Sequence, residues 1–189
     1  MSPHESARGH ADLEEKIGDL FQELTKYDRH AMRRRGMIWP VRPALYKSYP
    51  DADRVALPTP AVEGGPGLWS VAARRRSHRT FASKPLSLEA LSQLLWATQG
   101  ITCRLPDYTF RAAPSAGALY PVETYVVAHR VETIEPGVYH YDVRAHALER
   151  IAKGDHRDRI AKAALDQSMA AQAAAVFVWT AVVDRAKWK

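Results

Sequence analysis

Prolines are concentrated in one stretch of this chain, and they limit what that stretch can form. Six of the twelve prolines lie between residues 40 and 66. Because proline lacks a backbone N–H and fixes φ, this density excludes a regular helix and a central strand there. Trp39, Tyr46 and Tyr49 are interspersed among the prolines, which predicts an extended arm that lies over another surface.

A cluster of turn residues follows this arm and marks the predicted domain boundary. Residues 63–67 read Glu-Gly-Gly-Pro-Gly, a composition typical of turns. Upstream, apolar residues recur at three- and four-residue steps between 12 and 27, which predicts an amphipathic helix. The sequence therefore predicts an N-terminal helix and proline-rich arm over residues 1–66 and a compact domain over 67–189.

Hydrophobic patterning in the second part predicts an α+β fold, a small sheet with helices packed on it. Ser87 is a suitable N-cap and Gly100 a suitable C-terminal cap for a strongly apolar helix. The segment 101–120 is predicted to be a loop. The last predicted strand is a nearly continuous apolar run, for which we expect burial on both faces. Strands are predicted at 122–129, 137–141, 147–151 and 175–183, and further helices at 67–76, 155–165 and 168–174.

Composition favours a soluble globular protein. Hydrophobic residues make up 46% and charged residues 25%, enough for a packed core with an ordinary surface. No apolar run approaches the roughly 20 residues that span a bilayer, so we expect no membrane partner. Residues 1–10 lack the apolar segment of a secretory signal. The single cysteine, Cys103, excludes an internal disulfide and fits a reducing compartment, with the cytoplasm as the default.

Part of the net charge of +6 is concentrated in a short arginine motif. Residues 75–81 read Arg-Arg-Ser-His-Arg-Thr-Phe. Arginine binds phosphate through paired, charge-assisted hydrogen bonds, and a serine hydroxyl adds a neutral donor. The motif therefore suits a ligand with a terminal phosphate. From the residues alone, a solvated basic face and nucleic-acid contact through phosphates are also open.

Small residues dominate a second motif. Residues 113–121 read Ala-Pro-Ser-Ala-Gly-Ala-Leu-Tyr-Pro. Such a loop lets the backbone approach a flat ligand closely, and Ser115 can hydrogen-bond a polar edge. The alternative is a tight connection into the strand at 122–129. Ser115 lacks the glycine two positions earlier that a hydrolase nucleophile elbow requires.

The remaining reactive side chains are assigned structural roles. The eight histidines show no metal-binding spacing, so we expect no metal site, and His140 and His146 are predicted at the surface beside a hairpin. We also expect a small loop or core position for Cys103, core positions for Trp69, Trp96 and Trp179, and a mobile cover formed by Tyr108 and Phe110.

Five sequence blocks follow one another along the chain. They are Arg-Arg-Ser-x-Arg-x-Phe, Pro-Leu-Ser-Leu-x-x-Leu-x-x-Leu-Leu-Trp-Ala, Gln-Gly-Ile-Thr, Ala-Pro-Ser-Ala-Gly-Ala-Leu-Tyr-Pro-x-Glu and Glu-Pro-Gly-Val-Tyr-His-Tyr-Asp, at 75–81, 85–97, 99–102, 113–123 and 135–142. Together they resemble the FMN-dependent nitroreductase superfamily, most closely its SagB-type dehydrogenase branch. The resemblance covers about residues 20 to 189.

The resemblance implies an intertwined homodimer that binds FMN, on a small mixed or antiparallel sheet flanked by helices. In that pattern the FMN phosphate, ribityl chain and ring edge are contacted by Arg75, Arg76, Ser77 and Arg79. The flavin is lined from the other protomer by Pro114, Ser115, Ala116 and Gly117. The flavin performs the redox step, and the protein supplies position and electrostatics.

The resemblance leaves the substrate and the catalytic residues open. Related enzymes oxidise azoline rings in ribosomal peptides or reduce nitro compounds and quinones, so the implied substrate is a small molecule or a peptide. Azoline oxidation needs a base, for which Lys189 is the one candidate. Relatives usually continue past the strand at 175–183, so we expect this chain to lack their C-terminal part. A flavin-free binding module of the same fold is the alternative function. Nucleic-acid binding ranks last, because recognised nucleic-acid motifs are missing.

Overall fold

The computed structural model describes residues 16–26 and 43–188. Contacts divide the chain into two compact units, Met1–Gly36 and Met37–Lys189. In the first unit a helix, α1, covers 16–25, in agreement with the apolar periodicity of that stretch. Its apolar side chains are exposed; they are Ile17, Leu20, Phe21 and Leu24.

The described part of the second unit contains both strands and helices. The strands are β1 (Asp53–Ala56), β2 (Ile101–Arg104), β3 (Thr109–Arg111), β4 (Val122–Ala128), β5 (Gly137–Asp142), β6 (Ala147–Lys153) and β7 (Ala175–Ala181). The helices are α2 (Leu68–Arg74), α3 (Leu88–Gln99), a 3-10 turn (Ala116–Ala118), α4 (Arg157–Ala163), α5 (Ser168–Gln172) and α6 (Val183–Lys187). Across both described ranges, no helix is long and apolar enough to cross a membrane.

Five of these strands form one antiparallel sheet in the order β1-β6-β5-β4-β7. β4 pairs with β7 along its whole length, from Val122 opposite Ala181 to Ala128 opposite Ala175. β5 and β6 form the predicted hairpin. The turn between them is held by Asp142, whose Oδ1 accepts hydrogen bonds from the N–H groups of Arg144 (3.0 Å) and Ala145 (3.2 Å).

The segment 101–120 is not the loop that the sequence predicted, because β2 and β3 pair as a separate two-stranded hairpin. Their register shifts between Ile101 and Cys103, which marks a β-bulge. Pro106 and Asp107 form the tip of the hairpin, a common turn pair. The strands are short and mostly exposed, so they lack the alternating apolar pattern on which the prediction relied.

Helix α3 buries its apolar stripe in the core formed with the sheet. As predicted, it begins after Ser87, whose Oγ accepts a hydrogen bond from the Ala90 N–H (3.1 Å), and it ends before Gly100. Its buried leucines meet one face of the sheet. The core includes Leu57, Leu91, Leu95, Val126, Ala128, Tyr139, Tyr141 and Leu148.

Two adjacent leucines of α3 give a matched test of this core. Leu95 is 0% exposed, whereas Leu94 is 48% exposed. We expect Leu95→Ala to lower the free energy of unfolding by about 3 kcal/mol, because the cavity it leaves cannot collapse fully. Leu94→Ala, on the solvent side of the same helix, is expected to cost well under 1 kcal/mol. Urea denaturation followed by circular dichroism measures both; equal losses would contradict this packing.

Strand β7 lies at the edge of the sheet and is only partly covered, so the prediction of burial on both faces is wrong. Trp179, near its end, is 59% exposed, and Trp69 of α2 is 84% exposed. Trp96 of α3 is half-buried. An apolar run shows that a segment is hydrophobic, but it does not show how many strands or helices pack against it. For this reason the sequence predicted a central strand and core tryptophans.

The proline-rich arm contributes to the compact unit. β1 pairs with β6 in an antiparallel register from Asp53 opposite Arg150 to Ala56 opposite Ala147, at the other edge of the sheet. An edge position agrees with the expectation that the proline-rich stretch forms no central strand. The unit therefore extends upstream of the 63–67 turn, and a domain confined to 67–189 stays a prediction.

Candidate functional site

The arginine motif lies in an exposed stretch of the second unit. Every residue from 61 to 85 is exposed. The motif follows α2, and the Arg75 N–H closes that helix on the carbonyl of Val71 (2.9 Å). Arg76 donates to the carbonyls of Ala73 (3.1 Å) and Arg75 (2.8 Å). These contacts are local, so the guanidinium groups of the motif face outward.

Large apolar side chains share this exposed stretch. They are Leu68, Trp69 and Val71 on α2, and Phe81 just after the arginine motif. Helix α2 buries none of its residues in the described chain. Large apolar side chains that are exposed next to one another often mark a surface that another molecule covers.

The small-residue motif forms a strained turn that leads into β4. Gly117 adopts φ 64°, and Ala118 and Tyr120 also have positive φ values, 52° and 43°. Such conformations cost non-glycine residues free energy and persist where the surroundings enforce them. The Tyr120 N–H donates to Ser115 Oγ (2.9 Å), so Ser115 helps to close the turn. Pro114, Ala116 and Gly117 remain exposed.

A cavity of about 590 Å³ opens beside this turn. Its volume falls within the range of small-molecule sites. Three of the four loop residues predicted to line a flavin contribute to it, and the fourth, Ala116, lines a smaller neighbouring cavity of about 260 Å³ with Ser115. The larger cavity is lined by Tyr108, Phe110, Arg111, Ala113, Pro114, Ser115, Gly117, Ala118 and Tyr120.

The structure thus brings the four loop residues together but does not bring the arginine motif to them within one chain. Arg75, Arg76, Ser77 and Arg79 line neither cavity. Lys189, the candidate base, lies outside the described residues. No group of His, Cys, Asp or Glu that could hold a metal ion occurs in the ranges 16–26 and 43–188.

Arg111 is a cavity residue that sequence reasoning did not single out. It is 7% exposed and lies 4.3 Å from the Tyr120 ring and 5.2 Å from the Tyr46 ring. Its backbone N–H donates to Tyr120 Oη (3.1 Å). Burial lowers the pKa of Arg111. Tyr108 and Phe110 were predicted to form a mobile cover. Phe110 lies on β3 and Tyr108 just before it, and both line the same cavity as Arg111.

A buried acid–imidazole–acid row crosses the other face of the sheet, and it corrects the prediction of a surface His140. His140 on β5 is 0% exposed. Its Nε2 lies 3.0 Å from Glu123 Oε2 on β4, and its Nδ1 lies 2.8 Å from Glu149 Oε2 on β6. Each ring nitrogen therefore lies within hydrogen-bond distance of a carboxylate oxygen on a neighbouring strand.

Two arginines complete this row, one from α6 and one from the edge strand β1. Arg185 of α6 is buried and contacts Glu123 Oε1 (2.6 Å), and it also donates to the carbonyls of Ala44 (2.7 Å) and Tyr120 (2.9 Å). Arg54 of β1 donates to Glu149 Oε1 (3.1 Å) and pairs with Asp142. The network therefore ties the arm and α6 to the sheet.

His146 was also predicted at the surface, but it is half-buried and holds the arm against α3. Its Nε2 lies 2.8 Å from Ser92 Oγ and 3.1 Å from the Pro58 carbonyl, and its Nδ1 lies 2.8 Å from Tyr141 Oη. Burial lowers the pKa of His146. The ring therefore serves as a neutral hydrogen-bonding link.

The buried carboxylate of Glu123 predicts a specific acid lability. Burial by itself would raise the pKa of Glu123, but hydrogen bonds from His140 and Arg185 hold it below its ordinary value. A lowered folded pKa contributes stability above the unfolded pKa, about 4.3, and this stability is lost as pH falls through the folded pKa. We expect the difference in urea midpoint between wild type and Glu123→Gln to shrink between pH 7 and pH 3. Glu132→Gln, at an exposed site, is the control and should show no such trend.

Comparison with known proteins agrees with this architecture. Residues 72–189, more than half of the chain, match the Nitroreductase family. A Methanocaldococcus jannaschii protein described as a candidate nitroreductase is 39% identical over 118 residues, which cover 62% of this chain and 58% of that protein. The trifolitoxin operon protein TfxC of Rhizobium leguminosarum bv. trifolii is 31% identical over 116 residues, which cover 55% of this chain and 33% of that protein.

A solved structure supports the same assignment. A candidate nitroreductase from Anabaena variabilis superimposes with a TM-score of 0.67 at 27% identity, covering 92% of this chain and 33% of that chain. This chain thus spans 58% of the Methanocaldococcus protein and about a third of each of the other two. The predicted α+β class, with an antiparallel sheet flanked by helices, is confirmed. By its sequence and its fold, the chain belongs to the nitroreductase family.

Proposed function

We propose that this protein is an FMN-dependent oxidoreductase that works as a homodimer. Arg75, Arg76, Ser77 and Arg79 of one protomer hold the phosphate end of the cofactor. Pro114, Ser115, Ala116 and Gly117 of the other protomer lie along its ring. The family membership supports an oxidoreductase fold, and the cofactor, its site and the dimer are the proposed parts.

One observation carries this proposal. The two motifs are both open to a ligand, yet they do not share a cavity within one chain. The arginine motif lies among exposed apolar side chains that a second copy would cover, such as Trp69 and Phe81. A site split between two copies accounts for both facts, because closed symmetric dimers bury the same patch on each subunit.

The residues fit such a cofactor chemically. The motif at 75–79 offers outward-facing guanidinium groups and a hydroxyl, which match a phosphate monoester. The turn at 114–117 carries no bulky side chain, so its backbone can approach a planar ring. When bound, a flavin accepts or donates a hydride. The role of this chain is to hold the phosphate, orient the ring and exclude water from the cavity.

Two substrate classes follow from the resemblance, an azoline ring in a peptide and a nitro compound or quinone. Oxidation of an azoline ring removes a carbon-bound proton and a hydride from the ring. Reduction of a nitro compound or quinone instead delivers to that substrate hydride equivalents that come from a nicotinamide donor. The similarity to a protein named for the trifolitoxin operon favours a role in a toxin pathway. A reducing compartment such as the cytoplasm suits the free, exposed Cys103.

Flavin uptake by the protein at its full native length tests the proposal. We expect FMN fluorescence to be quenched on titration, with saturation at about one FMN per chain, since a symmetric dimer has two equivalent sites. The bound flavin is expected to dissociate when dilution separates the dimer. A folded protein that takes up no FMN would instead support the flavin-free binding module.

A further inference from the structure

A charged residue lies in the wall of the cavity beside the 113–118 turn. Arg111, at the end of β3, is 7% exposed, and among the described residues that line this cavity it is the only Lys, Arg, Asp, Glu or His. The rest of the wall is aromatic or small. Tyr108, Phe110 and Tyr120 supply the aromatic rings.

The charge of this guanidinium is poorly matched by its neighbours. Its Nη2 donates to the Leu45 carbonyl (3.2 Å), and its Nη1 reaches Gln99 Oε1 only at 3.5 Å. Within the described residues its Nε has no hydrogen-bond partner. Glu123 acts on Arg111 electrostatically, but the oxygens of Glu123 are engaged by Arg185 and His140. Arg111 is therefore a buried cation that contacts no carboxylate of the ranges 16–26 and 43–188.

We propose that this cavity selects planar, conjugated substrates that carry an anionic oxygen group, such as aromatic carboxylates. A buried, unmatched cation costs free energy that an anionic ligand can recover. The rings of Tyr108 and Phe110 offer flat apolar contact to the planar part of such a ligand. Arg111, held between the rings of Tyr46 and Tyr120, supplies positive potential at the cavity wall.

This inference rests on the proposed function, because the 113–118 turn that bounds the cavity is the turn proposed to face the flavin. It adds the substrate class and names Arg111 as the residue that determines it. A neutral substrate of the same shape would fill the cavity without relieving the buried charge. Selectivity for anions is therefore separable from flavin binding, and the two can fail independently.

Calorimetric titration with two probes tests the inference. The probes are 4-nitrobenzoate and its neutral analogue 4-nitrobenzamide, added to the full-length protein with and without saturating FMN. We expect the carboxylate to bind at least about tenfold more tightly, the effect of one charge-assisted interaction. Equal affinities in the wild-type protein would overturn the inference. Displacement of the carboxylate by FMN would also overturn it, because the cavity would then belong to the cofactor.

Variants on the same hairpin locate the source of the preference. In Arg111→Gln, the affinities for the two probes are expected to lie within about twofold of each other. Arg111→Lys is expected to keep the preference for the carboxylate. Arg104→Gln removes an exposed cation from neighbouring β2 and should leave the preference intact. Tyr108→Ala should weaken both probes alike. If folded Arg111→Gln still prefers the carboxylate probe, Arg111 is not the source of the preference. If that variant does not fold, the relative affinities of the wild-type protein for the two probes decide the question.

Discussion

Replacing His140 with leucine is expected to lower the free energy of unfolding by about 3–5 kcal/mol, the usual cost of removing one partner from a buried ion pair. The imidazole is 0% exposed and lies between the carboxylates of Glu123 and Glu149. Without it, both carboxylates lose a contact in a region that water does not reach. Urea denaturation of the folded protein followed by circular dichroism measures the loss.

A matched control and a double variant sharpen this test. His78→Leu removes a histidine from the exposed arginine motif and is expected to change stability by less than about 0.5 kcal/mol. The pair His140→Leu and Glu149→Leu should be less destabilising together than the sum of the two single changes, because the double variant leaves no unpaired Glu149 carboxylate. A wild-type midpoint for His140→Leu would contradict the buried network.

The second large effect is expected in flavin binding. Replacing Arg76 and Arg79 together with glutamine should weaken FMN affinity at least about a hundredfold, since each charge-assisted bond to phosphate contributes roughly 1.5–3 kcal/mol. Both residues are exposed, so the fold should be unaffected. Riboflavin, which lacks the phosphate, should bind wild type and this variant with similar affinity. Fluorescence titration with both ligands separates the phosphate contribution from the ring contribution.

Arg74→Gln is the control for this experiment. Arg74 lies in the same exposed region but donates to the Ser70 carbonyl within α2 (3.1 Å) and is not part of the proposed phosphate site. It lowers the net charge by one without touching the proposed contacts. If Arg74→Gln weakens FMN binding as strongly as a single change at Arg76, the effect is general electrostatic attraction and the proposed phosphate site is wrong.

Much of the fold was predictable because local signals and tertiary packing agree. Ser87 caps the start of α3 through its side-chain oxygen, and Gly100, which has no side chain, follows its last residue. Both residue types favour these positions. The β5–β6 hairpin follows from two alternating apolar segments around a turn held by Asp142. Where local preference and the final packing coincide, a single sequence is sufficient to identify the element.

The errors occurred where neighbours distant in sequence decide the outcome. β7 has the apolar run of a central strand, but sheet order, which a sequence does not state, places it at an edge. His140 has the polarity of a surface residue, yet acids on the two adjacent strands pair with it. The available signal was that two acidic residues and a histidine, Glu123, Glu149 and His140, lie inside three predicted strands.

The candidate site was predictable only in part for the same reason. The motifs at 75–79 and 114–117 were visible as local compositions. The role of Arg111 depends on Tyr46 from the arm and Tyr120 from the turn, which meet only in the folded chain. No short-range pattern could have connected an arginine in a predicted loop with aromatic rings on both sides of it.

Mixing two inactive variants tests most directly whether one flavin site is built from two protomers. One variant carries Arg76→Gln and Arg79→Gln, and the other carries Ala116→Trp, which blocks the turn. At an FMN concentration that just saturates the wild type, each variant alone is expected to bind little FMN. After subunit exchange, half of the dimers contain one chain of each kind and one intact site, so the mixture should recover about a quarter of wild-type FMN occupancy. If the mixture binds no more FMN than either variant although the subunits have exchanged, the two motifs do not meet across a dimer.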